Sequence, residues 1–168
     1  MVKRFMAHHI SIDGLKLSEE LLQIRIRYSP RSAHSPFLLY RRLAEHAINV
    51  TFLSAACHAS DMASSCCVSI RAQHEVRDLI ASDPDLEGQI QFFPSVGMVS
   101  LFPHQNSMAV LGRALQAFGK AHLPLYGVGS SLSALSFITD YARLGDAAEE
   151  IEKALKSPSN VPPSHAGP

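Results

Sequence analysis

The chain has 168 residues, 46% of them hydrophobic and 18% charged, and fifteen basic residues cancel fifteen acidic ones. That composition provides for a core, excludes a disordered chain and argues against a nucleic-acid partner bound through phosphate neutralisation. With no run near the ~20 apolar residues of a membrane helix and no apolar stretch behind the basic start, a cytoplasmic protein without a membrane partner is the expectation.

Met6, His8, Ile10 and Ile12 alternate with other residues and end at Asp13-Gly14, predicting a strand closed by a turn. Ile24, Ile26 and Tyr28 alternate with Gln23, Arg25 and Arg27, a second strand whose arginines are expected on a solvated or subunit-facing surface. The loop Ser29 to His34 leads to Ser35-Pro36, a cap followed by proline at the first helical position. Leu39, Tyr40, Leu43 and Ala47 then recur at helical spacing. Ile48 to Phe52 returns to period two, and Met62 to Arg71 predicts a strand with Ser64, Cys66, Val68 and Ile70 on one face. Val76, Leu79 and Ile80 mark a short helix that stops at Asp83-Pro84.

The pattern then restarts. Ile90 and Phe92 predict a short strand and Met98 to Phe102 another, after which Ser107 is placed to cap a helix. Its stripe Met108, Leu111, Leu115, Phe118 and His122 steps by three and four and is expected in the core. Leu123–Ser131 and Ala134–Asp140 predict strands around a tight turn at Leu132-Ser133. The last helix is expected near Asp146, with Ala148, Ile151 and Leu155 inward. Residues 157–168 hold four of the ten prolines and no packing stripe, so a mobile tail is expected there.

The halves overlay. RRLAEHAINVTFLS lies on LQAFGKAHLPLYGVGS, matching Leu43 with Phe118, Ile48 with Leu123 and Val50 with Leu125. Each half reads as a βαββα unit, so the expected fold is α+β: two ferredoxin-like units in tandem, with antiparallel sheets and helices on one face. The expected division is 4–88 and 89–156. Neither half is large enough to bury a comfortable core alone, and a sheet with one bare face and free edges calls for cover, so a homodimer is expected.

The cysteines are three, Cys57, Cys66 and Cys67, with no C-x-x-C spacing and no disulfide framework. Neighbours on a strand point to opposite faces, so Cys57-His58 and Cys66-Cys67 suit neither a tetrahedral metal site nor a nucleophile–base pair. No histidine pair has ligand spacing, and no glycine-rich phosphate loop occurs. No metal, no cofactor and no catalytic activity are expected.

Leu43 to Val50, LAEHAINV, resembles the LAEAGINV phrase of the ACT domain. Over residues 4 to 156 the chain is similar to the tandem ACT regulatory region of aspartokinases, without sequence resembling the catalytic part. The resemblance implies amino-acid sensing and allosteric regulation of a biosynthetic enzyme, with lysine, threonine and methionine as first effector candidates. It places the effector at the interface of paired domains, against the loop before the first helix and the start of the next strand. By position that names Arg31, Ser32, His34, Ser35 and Asn49, and in the second half Gln105, Asn106 and Ser107, with Pro124 where the strand amide would be. Backbone N–H groups at a helix start suit a carboxylate, and the asparagine amide can accept from an ammonium. The loop SPRSAHSP lacks the acid and the glycine of the family's D-x-P-G. Gly127 and Gly129 sit within a strand, marking either a close approach or a loosely packed edge. The alternative is a ligand-free structural module for dimerisation or for docking a partner enzyme.

Overall fold

The computed structural model describes residues 14–28, 35–57, 62–86, 88–102 and 107–156. The expected strand Met6–Ile12 and the tail 157–168 lie outside them. The strands are β1 (Gly14–Leu17), β2 (Leu21–Tyr28), β3 (Val50–Cys57), β4 (Met62–Ser69), β5 (Ile90–Phe102), β6 (Gly127–Ser130) and β7 (Leu135–Asp140). The helices are α1 (Ser35–Glu45), α2 (Gln73–Ala81), α3 (Met108–Lys120) and α4 (Leu144–Lys156), with short 3₁₀ turns leading into α2 and α4. None of these helices is long and apolar enough to cross a membrane.

All pairings are antiparallel, in the order β3-β4-β2-β5-β7-β6 with β1 also on β5. The axis of the sheet is a long ribbon. β1 and β2 follow one another along the same edge of β5, with Gly14 opposite Phe102, Leu17 opposite Val99, Leu21 opposite Val96 and Ile26 opposite Ile90. β4 and β3 flank one end of the ribbon, and β7 and β6 flank the other. Each half of β5 therefore serves a different unit: Ile90–Phe93 pairs β2, while residues 99–102 pair β1, and both pairings run across the expected 88/89 division.

β5 corrects the expectation of two strands. Pro94-Ser95 looks like a break in sequence, but the register slips by one residue between Gln23–Phe93 and Leu21–Val96, and Ser95 takes φ 60°. That is a β-bulge, where a proline's missing N–H costs no ladder bond. Gly14 likewise opens β1 and does not close a turn.

The two units repeat in detail. α1 ends with Ala47 at φ 53° and Ile48 N–H on the Leu43 carbonyl at 2.8 Å; α3 ends with His122 at φ 49° and Leu123 N–H on the Phe118 carbonyl at 3.0 Å. Both are Schellman-type stops, usually built on glycine. Ala47 and His122 thus lie past the helix ends and are exposed, outside the stripes assigned to them.

Helices pack on one face of the sheet. Leu22, Ile24, Ile26, Cys66 and Val68 meet Leu39, Leu43, Val76, Leu79 and Ile80 in the first core. Val99, Leu101, Leu135 and Phe137 meet the helices in the second. α3 turns a different face inward from the expected one: Val110, Ala114, Ala117 and Phe118 are buried, whereas Met108 is 74% exposed and Leu115 half exposed. Ala114 and Ala117 of α3 share the second core with Ala147 of α4, small side chains that allow the two helices to pack. α4 begins at Leu144, with Ala147 rather than Ala148 fully buried.

On the helix-free face Leu21, Phe52, Cys67, Val96 and Ile138 form a third cluster. The Phe52 ring lies against Gly127 and Gly129, so the outer strands β3 and β6 approach each other and this face of the sheet is concave. A Cβ at Gly129 would stand 2.7 Å from Phe52 Cε2. Of the two readings of these glycines, close approach holds.

Candidate functional site

Two strand starts carry the site expected from the sequence. After α1 the left-handed turn at Ala47 directs the chain outward, and Asn49, Val50 and Thr51 are all exposed. The β3–β4 register passes from Val50 to Phe52 and skips Thr51, a second bulge. Ser35 opens α1. Arg31, Ser32 and His34 lie outside the described residues, as does the Ser35 side chain.

The counterpart after α3 is tied down. The Pro124 carbonyl accepts from Thr139 Oγ1 at 2.7 Å. The Tyr126 carbonyl accepts from Arg25 Nη2 at 2.7 Å and from Gln23 Nε2 at 3.4 Å. The Tyr126 hydroxyl donates to Asp140 at 2.7 Å, which holds the phenol's pKa above its usual value. Arg25 also stacks its guanidinium 4.3 Å from the centre of the Phe93 ring. Gln23 is fully buried, donates to Ser65 at 2.8 Å, and its Oε1 has no partner among the described groups. Ser107 occupies the cap position of α3 with extended backbone; its carbonyl receives the Val110 and Leu111 N–H groups, and its side chain makes no cap bond. Gln105 and Asn106 lie outside the described residues.

This seam is not what the sequence suggests, since Arg25 is expected there to face solvent or a partner. The signal available is a glutamine beside two arginines on the non-core face of a strand; what they meet is 101 residues away. Between α1 and α2 runs an open groove of about 600 Å³ lined by Arg42, His46, Glu75, Asp78, Leu79 and Ser82. Arg42 pairs with Asp83 at 3.2 Å, which raises the guanidinium's pKa together with Glu45, and His46 meets Glu75 at 3.2 Å.

Cys66 faces the first core and Cys67 the concave face, so the pair cannot converge on one ion. Burial pushes both thiols up to about 12, leaving them protonated and poor nucleophiles at neutral pH. Among the described residues no three His, Cys, Asp or Glu side chains gather as a metal site.

No protein-family model matches the sequence, and no curated protein matches it. Solved structures do. The ligand-free regulatory subunit of aspartate kinase from Thermus thermophilus superposes with a TM-score of 0.74 at 17% identity, over 85% of this chain and 97% of that one. The structure of aspartokinase alpha and beta subunits gives 0.76 at 14% identity, over 88% of this chain and 100% of that one. Escherichia coli aspartokinase III in complex with lysine and aspartate gives 0.62 at 14% identity, over 87% of this chain but 33% of that one. The chain therefore has the tandem fold of the aspartate kinase regulatory subunits.

Proposed function

We propose that the protein is an amino-acid-sensing regulatory module that acts on a separate biosynthetic enzyme and performs no chemistry of its own. The observation that carries this reading is the asymmetry of the two strand starts: Asn49 to Thr51, just past the α1 end, is exposed, while Pro124 to Tyr126 is bound to its own chain. The fold supports it, since it matches regulatory subunits of aspartate kinase over nearly their whole length. One of the matched aspartokinases was solved in complex with lysine, so lysine leads the panel, with threonine and methionine next. Arg31, Ser32, His34, Ser35 and Asn49 form the first effector site in this reading. Gln105, Asn106 and Ser107 form a weaker second one.

A ligand that binds the folded state at a hundredfold excess over Kd stabilises it by about 2.7 kcal/mol. For a chain of this size that raises the melting temperature by roughly 5–10 °C. One or two amino acids of a panel of twenty are expected to do so, and Asn49→Ala is expected to blunt the rise while Pro124→Ala leaves it. A panel flat to within a degree at millimolar ligand removes the sensing reading and leaves a structural module. That second reading has its own support in β3, an eight-residue strand at the sheet's edge without a single charge. A homodimer through this edge is expected by light scattering, and Leu53→Lys, at a position 57% exposed, is expected to yield monomers.

A further inference from the structure

The sheet order ends at two edge strands, β3 and β6, whose starts differ in character. β3 follows the exposed segment Asn49–Thr51, while β6 follows the segment that Gln23 and Arg25 hold. The two strands meet across the concave face at Phe52. Its Cζ would lie 3.6 Å from a Cβ at Gly127 and 3.5 Å from one at Gly129, so the ring spans both positions. Glycine weakens a strand interior, yet β6 carries two in its four residues, and both lie under this ring. They form a seat for it.

Phe52 also comes directly after a bulge. Val50 pairs with Val68, Phe52 with Cys67 and Leu53 with Cys66, which leaves Thr51 as the extra residue. Moved one residue along the strand, the same bulge sets Thr51 opposite Cys67 and leaves Phe52 beside Leu53, opposite Cys66. Cys66 faces the helices and Cys67 the concave face, so that step turns the ring out of its seat. β3 pairs with β4 alone in the sheet order, so only one ladder holds either register.

We propose that Phe52 is a latch: seated on Gly127 and Gly129 it closes the concave face over Cys67, and displacement of the bulge at Thr51 releases it. The seated ring completes the burial of Leu21, Cys67, Val96 and Ile138 on the helix-free face. Release uncovers that cluster and frees β3 from β6. Engagement of Asn49–Thr51 thereby reaches the second unit through Phe52. In the sensing reading this is the effector's route, and that clause alone rests on it.

The test is thiol labelling of the full chain in a Cys57→Ser/Cys66→Ala background, where Cys67 is the only thiol and reacts when the latch is open. Phe52→Ala is expected to speed labelling about tenfold or more, while hydrogen exchange in α4 stays unchanged and shows the second core folded. Gly129→Ala is the sharper variant. Without a latch, alanine in place of a strand glycine leaves labelling the same or slows it. With the latch, the new methyl displaces the ring and labelling speeds roughly threefold or more, and the same substitution adds nothing in Phe52→Ala. Deleting Thr51 removes the extra residue while keeping Val50 on Val68 and Phe52 on Cys67, and is expected to slow labelling below that of the parent. Labelling indifferent to Phe52→Ala and Gly129→Ala, or rising only together with exchange in α4, overturns the latch. A Thr51 deletion that labels as fast as the parent overturns its release by the bulge. These arms use no effector, so their failure is separate from that of a flat amino-acid panel.

Discussion

The two helix-packed cores occupy equivalent positions and are made of different material. In the second, Phe137 stacks on Phe118 with ring centres 5.6 Å apart, surrounded by aliphatic side chains and alanines. In the first, Cys66 fills the place corresponding to Phe137, and the Tyr40 and Ser64 hydroxyls hydrogen-bond beside it. One topology is thus held once by tight hydrocarbon packing and once by smaller side chains with polar partners. The lesson is that the repeat constrains register and backbone stops, while the filling of each core is free to diverge. The polar core lies under the exposed strand start, and the hydrocarbon core under the clamped one.

Truncating Phe137 to alanine removes a fully buried ring and its stacking on Phe118, and is expected to cost about 4 kcal/mol in urea unfolding. Cys66→Ala, at the corresponding position, is expected to cost about 1 kcal/mol. Equal losses would contradict the contrast.

Alkaline pH should strike the first core and the concave-face cluster, which each hold one buried thiol. Burial raises both thiols from their ordinary value near 9 to about 12 in the folded state. The unfolded chain releases these protons first, so the thiols' contribution is intact below pH 9 and is lost progressively as pH rises toward 12. A loss of about 2 kcal/mol per thiol is expected by pH 10.5, taken from 1.36 kcal/mol per pKa unit. The Cys66→Ala/Cys67→Ala variant, compared with wild type at pH 9 and 10.5, should show a flatter decline.

The concave face offers a paired test of the seam. Arg25→Met deletes a charge-assisted bond to the Tyr126 carbonyl and is expected to cost about 1.5 kcal/mol. Ser100→Met, at the counterpart position, is expected to change stability by less than about 0.5 kcal/mol. A smaller effect, of opposite sign, concerns the helix stops. Ala47→Gly and His122→Gly each relieve a left-handed backbone and should stabilise by about 1 kcal/mol; a loss at either position would mean that its side chain packs usefully.

How much of this is legible in the sequence follows from which signals are local. Residues 43–50 and 118–125 show the repeat because a helix stop and a strand start are written in consecutive residues. The buried face of α3 is misread because Met108 and Leu115 are larger than Ala114 and Ala117, and size says nothing of how closely α4 approaches. β5 looks like two strands because a bulge and a chain break share the same residues, Pro94 and Ser95. The Arg25 seam depends on β2, β5 and the 123–126 segment meeting in space, which no local periodicity encodes.

The pairing of β1 with the far half of β5 bears on how the protein is made. Gly14 meets Phe102, so β1 leaves the ribosome long before its partner and waits while the first unit's helices form. Near the ribosome the first unit can gather β2, α1, β3, β4 and α2, but its fourth strand arrives with β5, and the same strand then recruits β1 for the second unit. Such distant pairings carry a loop-closure cost before any bond rewards it. Until residue 102 has emerged β1 lacks its partner, so β5 completes the first unit and begins the second, which closes only when β7 and α4 have followed.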